Sequence, residues 1–185
     1  MGSFSIWHGL IVLVLLAFAV GIVIAAWKTS QRPSPLGIKG PVGFGGWLLL
    51  LAVGQTLAPL RSLDGLRQEI DAYSSIRSTY AVPNINLAEG TEVVLVLAMV
   101  VFSIVVAVLM YRKKTYFPTL FLWQWIFALV VSVGNLVVPA LLMGIPLNEM
   151  MNTQAVGSIL AVAIVGGLWV LYVFRSVRVR NTFVR

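Results

Sequence analysis

The sequence predicts an all-α integral membrane protein with five transmembrane helices: one N-terminal helix, then a four-helix bundle with a short amphipathic helix on its outer face. Three observations lead there. The 185 residues are 59% hydrophobic and 10% charged, whereas soluble domains run at roughly 45–50% apolar and about 25% charged. Long apolar stretches divide the chain into segments suited to a hydrocarbon core of about 30 Å, crossed at 1.5 Å per residue. The charges between those stretches alternate in sign. All six acids (Asp64, Glu69, Asp71, Glu89, Glu92, Glu149) fall in the even-numbered gaps or, for Glu92, in the first turn of the span that follows, and every Lys and Arg except Arg61, Arg67 and Arg77 falls in the others. Because positive flanks resist translocation, this places the N-terminus outside and the C-terminus in the cytoplasm.

The first span is expected from Ser5 to Trp27, bracketed by Trp7 and Trp27 at the two interfaces, where an indole keeps its N–H wet. No positive charge precedes it and no small-x-small cleavage site follows, so it reads as a retained helix. Ala17, Gly21 and Ala25 recur every fourth residue within it and clear one face for close helix packing. Residues 1–28 thus form an N-terminal unit. A Pro- and Gly-rich cytoplasmic linker, 29–43, separates it from a membrane domain over 44–185.

Within that domain, spans are expected over Phe44–Leu60, Thr91–Tyr111, Phe117–Met143 and Gln154–Phe174. Pro139 is expected to kink or end the third of these. The outer loop, 61–90, opens with Leu63, Leu66, Ile70, Tyr73 and Ile76 at spacings of three or four. Such a stripe describes an amphipathic helix lying in the outer interface or capping the mouth of the bundle. At the other face, Arg112, Lys113, Lys114 and the tail's Arg175, Arg178 and Arg180 are placed to meet anionic lipid headgroups. A net charge of +7 therefore points to the bilayer and not to nucleic acid.

Little in the sequence carries chemistry. The absence of cysteine excludes disulfides and thiolate metal sites, and a single histidine, His8, excludes a multi-histidine metal or haem site. No catalytic residue, cofactor or metal ligand set is expected. Mid-bilayer positions hold neutral polar groups, chiefly Gln55, Gln124, Ser132 and Asn135. Their ordinary use is interhelical hydrogen bonding, each worth about 0.6–2 kcal/mol. A shared ligand site is the other reading. Gly43-Phe-Gly-Gly46 lacks the Lys-Ser/Thr of a phosphate loop and opens a span instead.

Three motifs carry a resemblance. Gly43-Phe-Gly-Gly-Trp-Leu-Leu-Leu50 opening a span, Tyr111-Arg-Lys-Lys114 with Tyr116-Phe-Pro118 between spans, and Arg175-Ser-Val-Arg-Val-Arg-Asn-Thr-Phe183 after the last resemble a bacterial inner-membrane family known only as a domain of unknown function. The likeness covers about 40–184 and implies a four-helix membrane domain in the inner membrane, with no established activity. Phe4-Ser-Ile-Trp-His-Gly-Leu-Ile-Val12 resembles the N-terminus of the small single-helix subunits of twin-arginine translocases. That likeness stops where the linker replaces their hinge and amphipathic helix.

The function expected from these features is non-enzymatic: an accessory, assembly or stabilising subunit that packs against other integral membrane proteins, or against itself, in the bilayer. The alternative is a small oligomeric transporter or channel whose polar groups line a path between copies.

Overall fold

In the computed structural model, residues 40–184 are described, and all regular structure among them is helical. The order is α1 (Trp47–Thr79), α2 (Ile85–Tyr111), α3 (Phe117–Met143), the single turn α4 (Leu147–Met150), α5 (Thr153–Arg175) and α6 (Val177–Thr182). The expected first span, with Ala17, Gly21 and Ala25, lies outside the described residues. Three helices, α2, α3 and α5, are long and apolar enough to cross a membrane.

The chain enters α1 through Gly46 at φ +58°, a left-handed conformation that costs glycine nothing for want of a Cβ. Thereafter α1 runs for 33 residues without interruption, about 50 Å at 1.5 Å per residue. This corrects the expectation of a separate amphipathic helix, in the interface or capping the bundle: the helix of the expected span Phe44–Leu60 runs on unbroken to Thr79. Pro59 leaves the carbonyl one turn back without its helical donor but does not break the helix. The polar run from Arg61 continues the same helix beyond its apolar half.

The polar half of α1 is held by a partner helix. Asn84, left-handed at φ 54°, turns the chain, and α2 starts at Ile85, earlier than Thr91. The two extended ends then pack on each other. Leu66 meets Val96 and Val100, and Tyr73 meets Ile85, Ala88 and Met143. The amphipathic stripe is therefore divided: Leu66 and Tyr73 at its centre are buried, while Leu63, Ile70 and Ile76 on its flanks are exposed.

The other ends follow local chemistry. Pro118 sits in the first turn of α3, where its missing N–H has no intrahelical use. Pro139 does not end α3, which continues to Met143 before Gly144 closes it. At α5 the Asn152 side chain caps the Ala155 N–H at 2.8 Å.

Helix α1 packs on α2, α2 on α3 and α3 on α5. The largest core lies at the end where α1 begins and α5 finishes, joining Leu48, Leu51, Val106, Met110, Phe117, Phe121, Val170 and Val173. There α1 and α5 touch directly, Trp47 edge-on to Trp169 at 6.4 Å between ring centroids. Further along they part. The cleft between them has a volume of about 640 Å³, with Ala58, Arg61 and Ser62 on the α1 side, Ser158, Ala161 and Val165 on the α5 side, and Gln124, Trp125 and Ala128 behind.

Candidate functional site

Three levels of the bundle gather its polar side chains. Midway along, Gln55 of α1, Ser103 of α2 and Gln124 of α3 meet, each no more than 5% exposed. The Gln55 amide donates to Gln124 Oε1 at 2.9 Å and to the Ser103 carbonyl at 3.2 Å, and the Gln124 amide donates to Ser103 Oγ at 3.0 Å. Three helices are thus cross-linked by amides that satisfy one another, which is what a dry interior demands of buried polar groups. The sequence reading had singled out Gln55 and Gln124; Ser103 completes the set. Ser132 does not join it, since its hydroxyl donates to its own helix at the Ala128 carbonyl, 2.8 Å. Asn135 stands one turn further on, its Oδ1 buried with no partner.

Where α1 meets the start of α2 sits an acidic cluster whose burial the sequence does not reveal. Glu92 is 6% exposed and Tyr73 is 7% exposed, the Glu92 carboxylate lying near the Tyr73 phenol. Burial first, then the charge of Glu92, holds the Tyr73 phenol protonated far above its ordinary range. Glu69, one turn before Tyr73, has its Oε2 buried without a hydrogen-bond partner, and burial raises its carboxyl above the usual carboxylate value. With α2 expected to begin at Thr91, Glu92 reads as a first-turn residue favoured by the helix dipole. Because the helix starts at Ile85, Glu92 lies two turns in and faces α1. The signal for this was the Pro83-Asn84 turn. Nearby, Arg77 and Glu89 form an ion pair across the junction of α1 and α2.

At the opposite level, α6 folds back under the bundle. Arg178 is 7% exposed, and its guanidinium donates to the carbonyls of Val42 at 3.4 Å and Gly43 at 3.5 Å. Thr182 Oγ1 accepts from the Gly43 N–H at 2.8 Å and donates to the Arg178 carbonyl at 2.7 Å. Phe183 stacks on Phe117 at 4.4 Å and meets Phe44 edge-on at 6.2 Å. Arg178 is therefore a structural clamp and not a headgroup contact, because its side chain points inward to carbonyls. Arg112, Arg175 and Arg180 are exposed, and Lys113 and Lys114 are half-buried.

The motifs that open α1 and close the chain are thus bonded to each other. A family model described as "Protein of unknown function (DUF2569)" matches residues 41–184. The chain belongs to that family. In this DUF2569 member the match begins just before the loop held by Arg178 and Thr182 and ends just after Phe183, so it coincides with the cross-braced unit. No curated protein and no solved structure matches the chain.

Among the described residues no group of three or more His, Cys, Asp or Glu side chains is arranged to hold a metal ion. The arrangement offers cross-bracing within the bundle, an apolar cleft at its side and an arm of α1 standing beyond the apolar part.

Proposed function

We propose that this DUF2569 protein is a non-enzymatic accessory, assembly or stabilising subunit of a bacterial membrane protein complex. In this reading it crosses the inner membrane five times, α1 supplying the second crossing, with the N-terminus outside and the C-terminus in the cytoplasm. The orientation draws on the positive-inside rule, since Arg112, Lys113, Lys114, Arg175 and Arg180 share the end opposite the acids of the α1–α2 junction.

The observation that carries the subunit role is the length of α1. A helix of 33 residues outruns the bilayer and holds Leu63 and Ile70, 43% and 39% exposed, two turns apart on one flank of its outer arm. Apolar side chains displayed on a rigid arm beside Asp64 and Arg67 suit docking to the extramembrane part of another membrane protein. The inner polar groups support the same reading, because Gln55, Ser103 and Gln124 bond one another and so cross-link three helices.

The test is co-purification at native expression with the tagged wild-type protein and with Leu63→Glu/Ile70→Glu. The reading expects a stoichiometric membrane protein that is lost from the double variant while the bundle remains folded. Transport by an oligomer draws on Asn135, whose Oδ1 is orphaned. Flux abolished by Asn135→Leu, with co-purification unchanged by the arm variant, would move that reading ahead.

A further inference from the structure

Helix α5 is the least covered of the three apolar helices. In its most apolar stretch 6% of residues are buried, against 28% in α2 and 22% in α3, and only Val170 and Val173 count as core. A membrane protein has no need to hide such a face from lipid. The cleft beside it is another matter, because it is wide, about 640 Å³, and small side chains stand on both walls, Ala58 and Ser62 on α1 and Ser158 and Ala161 on α5, with larger ones such as Met99 and Trp125 among them. Small residues on facing walls are what a closely packed helix needs.

The path of the chain indicates what fills it. Residue 40 is preceded by 39 residues, among them the apolar stretch Ser5–Trp27. The described chain begins against α6: a Cβ on Gly40 would lie 3.3 Å from Asn181 Nδ2 and 3.4 Å from Val177 Cγ1. Since α6 follows α5 directly, residues 28–39 lead away from the cytoplasmic end of α5. That linker spans at most roughly 40 Å at about 3.3 Å per residue, enough to deliver the stretch to the cleft. A tether this short also gives an effective concentration of the order of millimolar, ahead of any second copy.

We propose that the apolar stretch Ser5–Trp27 seats in the lateral cleft between α1 and α5, with its Ala17/Gly21/Ala25 face against the small residues of the walls. With Trp27 at the height of Trp47 and Tyr172, a rise of 1.5 Å per residue brings Ala17 about 15 Å up, level with Ala58 and Ala161. The small face is then used within the chain, and docking to a partner is left to the α1 arm. The inference does not rest on the subunit role, and its failure would leave that role standing.

Because the chain has no cysteine, disulfide mapping tests it directly. Ala17→Cys is combined in turn with Ala58→Cys and Ala161→Cys in the full-length protein, with a protease site inside 28–39. Leu95→Cys/Gly134→Cys serves as the oxidation control, since a Cβ on Gly134 would lie 3.6 Å from the Leu95 side chain. After oxidation and cleavage, fragments that stay joined at the mass of one chain support the seat. Joining only at the mass of two chains overturns it in favour of a second copy, and separation despite a cross-linked control overturns it outright. Ala161→Trp, which fills the cleft, gives an independent readout. The cleaved N-terminal fragment should co-purify with wild-type 40–185 and be lost from that variant; retention on the variant contradicts the seat.

Discussion

Gln124 receives one hydrogen bond and gives another inside an apolar bundle, so its removal leaves Gln55 with the Ser103 carbonyl alone. Gln124→Leu should cost about 1–2 kcal/mol in an SDS unfolding titration. Gln55→Leu combined with it should cost less than the sum of the two single changes, because the second removes a donor already orphaned. Glu69 has the opposite character, a carboxyl that its surroundings disfavour when charged. Its folded-state pKa lies above the ordinary 4.5, with burial as the cause. The folded protein therefore holds this proton more tightly than the unfolded chain does. The associated stability is present below about pH 4.5 and is lost as pH rises through the raised pKa. Glu69→Gln should flatten that part of the pH profile and leave the variant more stable than wild type at neutral pH. A parallel profile for the two proteins would count against the burial of that carboxyl.

At the scale of the elements, the close approach of α3 and α5 depends on one missing Cβ. Trp125 donates its indole N–H to the Val162 carbonyl at 3.0 Å while its ring covers Gly166. A methyl on Gly166 would fall inside the contact distance of the indole, whereas one on Gly167 would meet its Cζ2 at an ordinary 3.5 Å. Gly166→Ala should destabilise by about 1–3 kcal/mol through overpacking, and Gly167→Ala should be tolerated. At the end where α6 folds back, Thr182→Val strips the half-buried Gly43 N–H of its acceptor, at a cost of about 1 kcal/mol. Protease nicking near Gly43 should then accelerate. Helix ends in apolar runs were legible in the sequence: α3 occupies the expected Phe117–Met143, and α5 differs from expectation by one residue at each end. The polar ends were not legible. Charge and Pro59 mark where the apolar run stops, and neither stops a helix whose later turns find α2 to pack on, so the end of an apolar run at Leu60 was mistaken for the end of a helix.

For the whole molecule, the family motifs mark the ends of a braced unit, which is why they sit far apart in sequence and together in space. The proposed topology rests on the alternation of charge alone, whereas Gln55 and Gln124 were legible because polar residues stand out in apolar runs. The burial of Glu92 and Glu69 was not legible because it depends on the register of two helix extensions. Arg178 escaped because a basic tail gives no sign of which cation turns inward. Replacing Arg178 with Ala should lower stability more than replacing Arg175 or Arg180, since only the Arg178 guanidinium reaches the carbonyls of Val42 and Gly43. The central claim is that the protein works as a subunit of something else. Its most direct test is the native mass of the wild-type complex, extracted from membranes at native expression in lipid nanodiscs. The account predicts a stoichiometric assembly with a second membrane protein. A monomer, or a pure homo-oligomer of the 20.2 kDa chain, would contradict it.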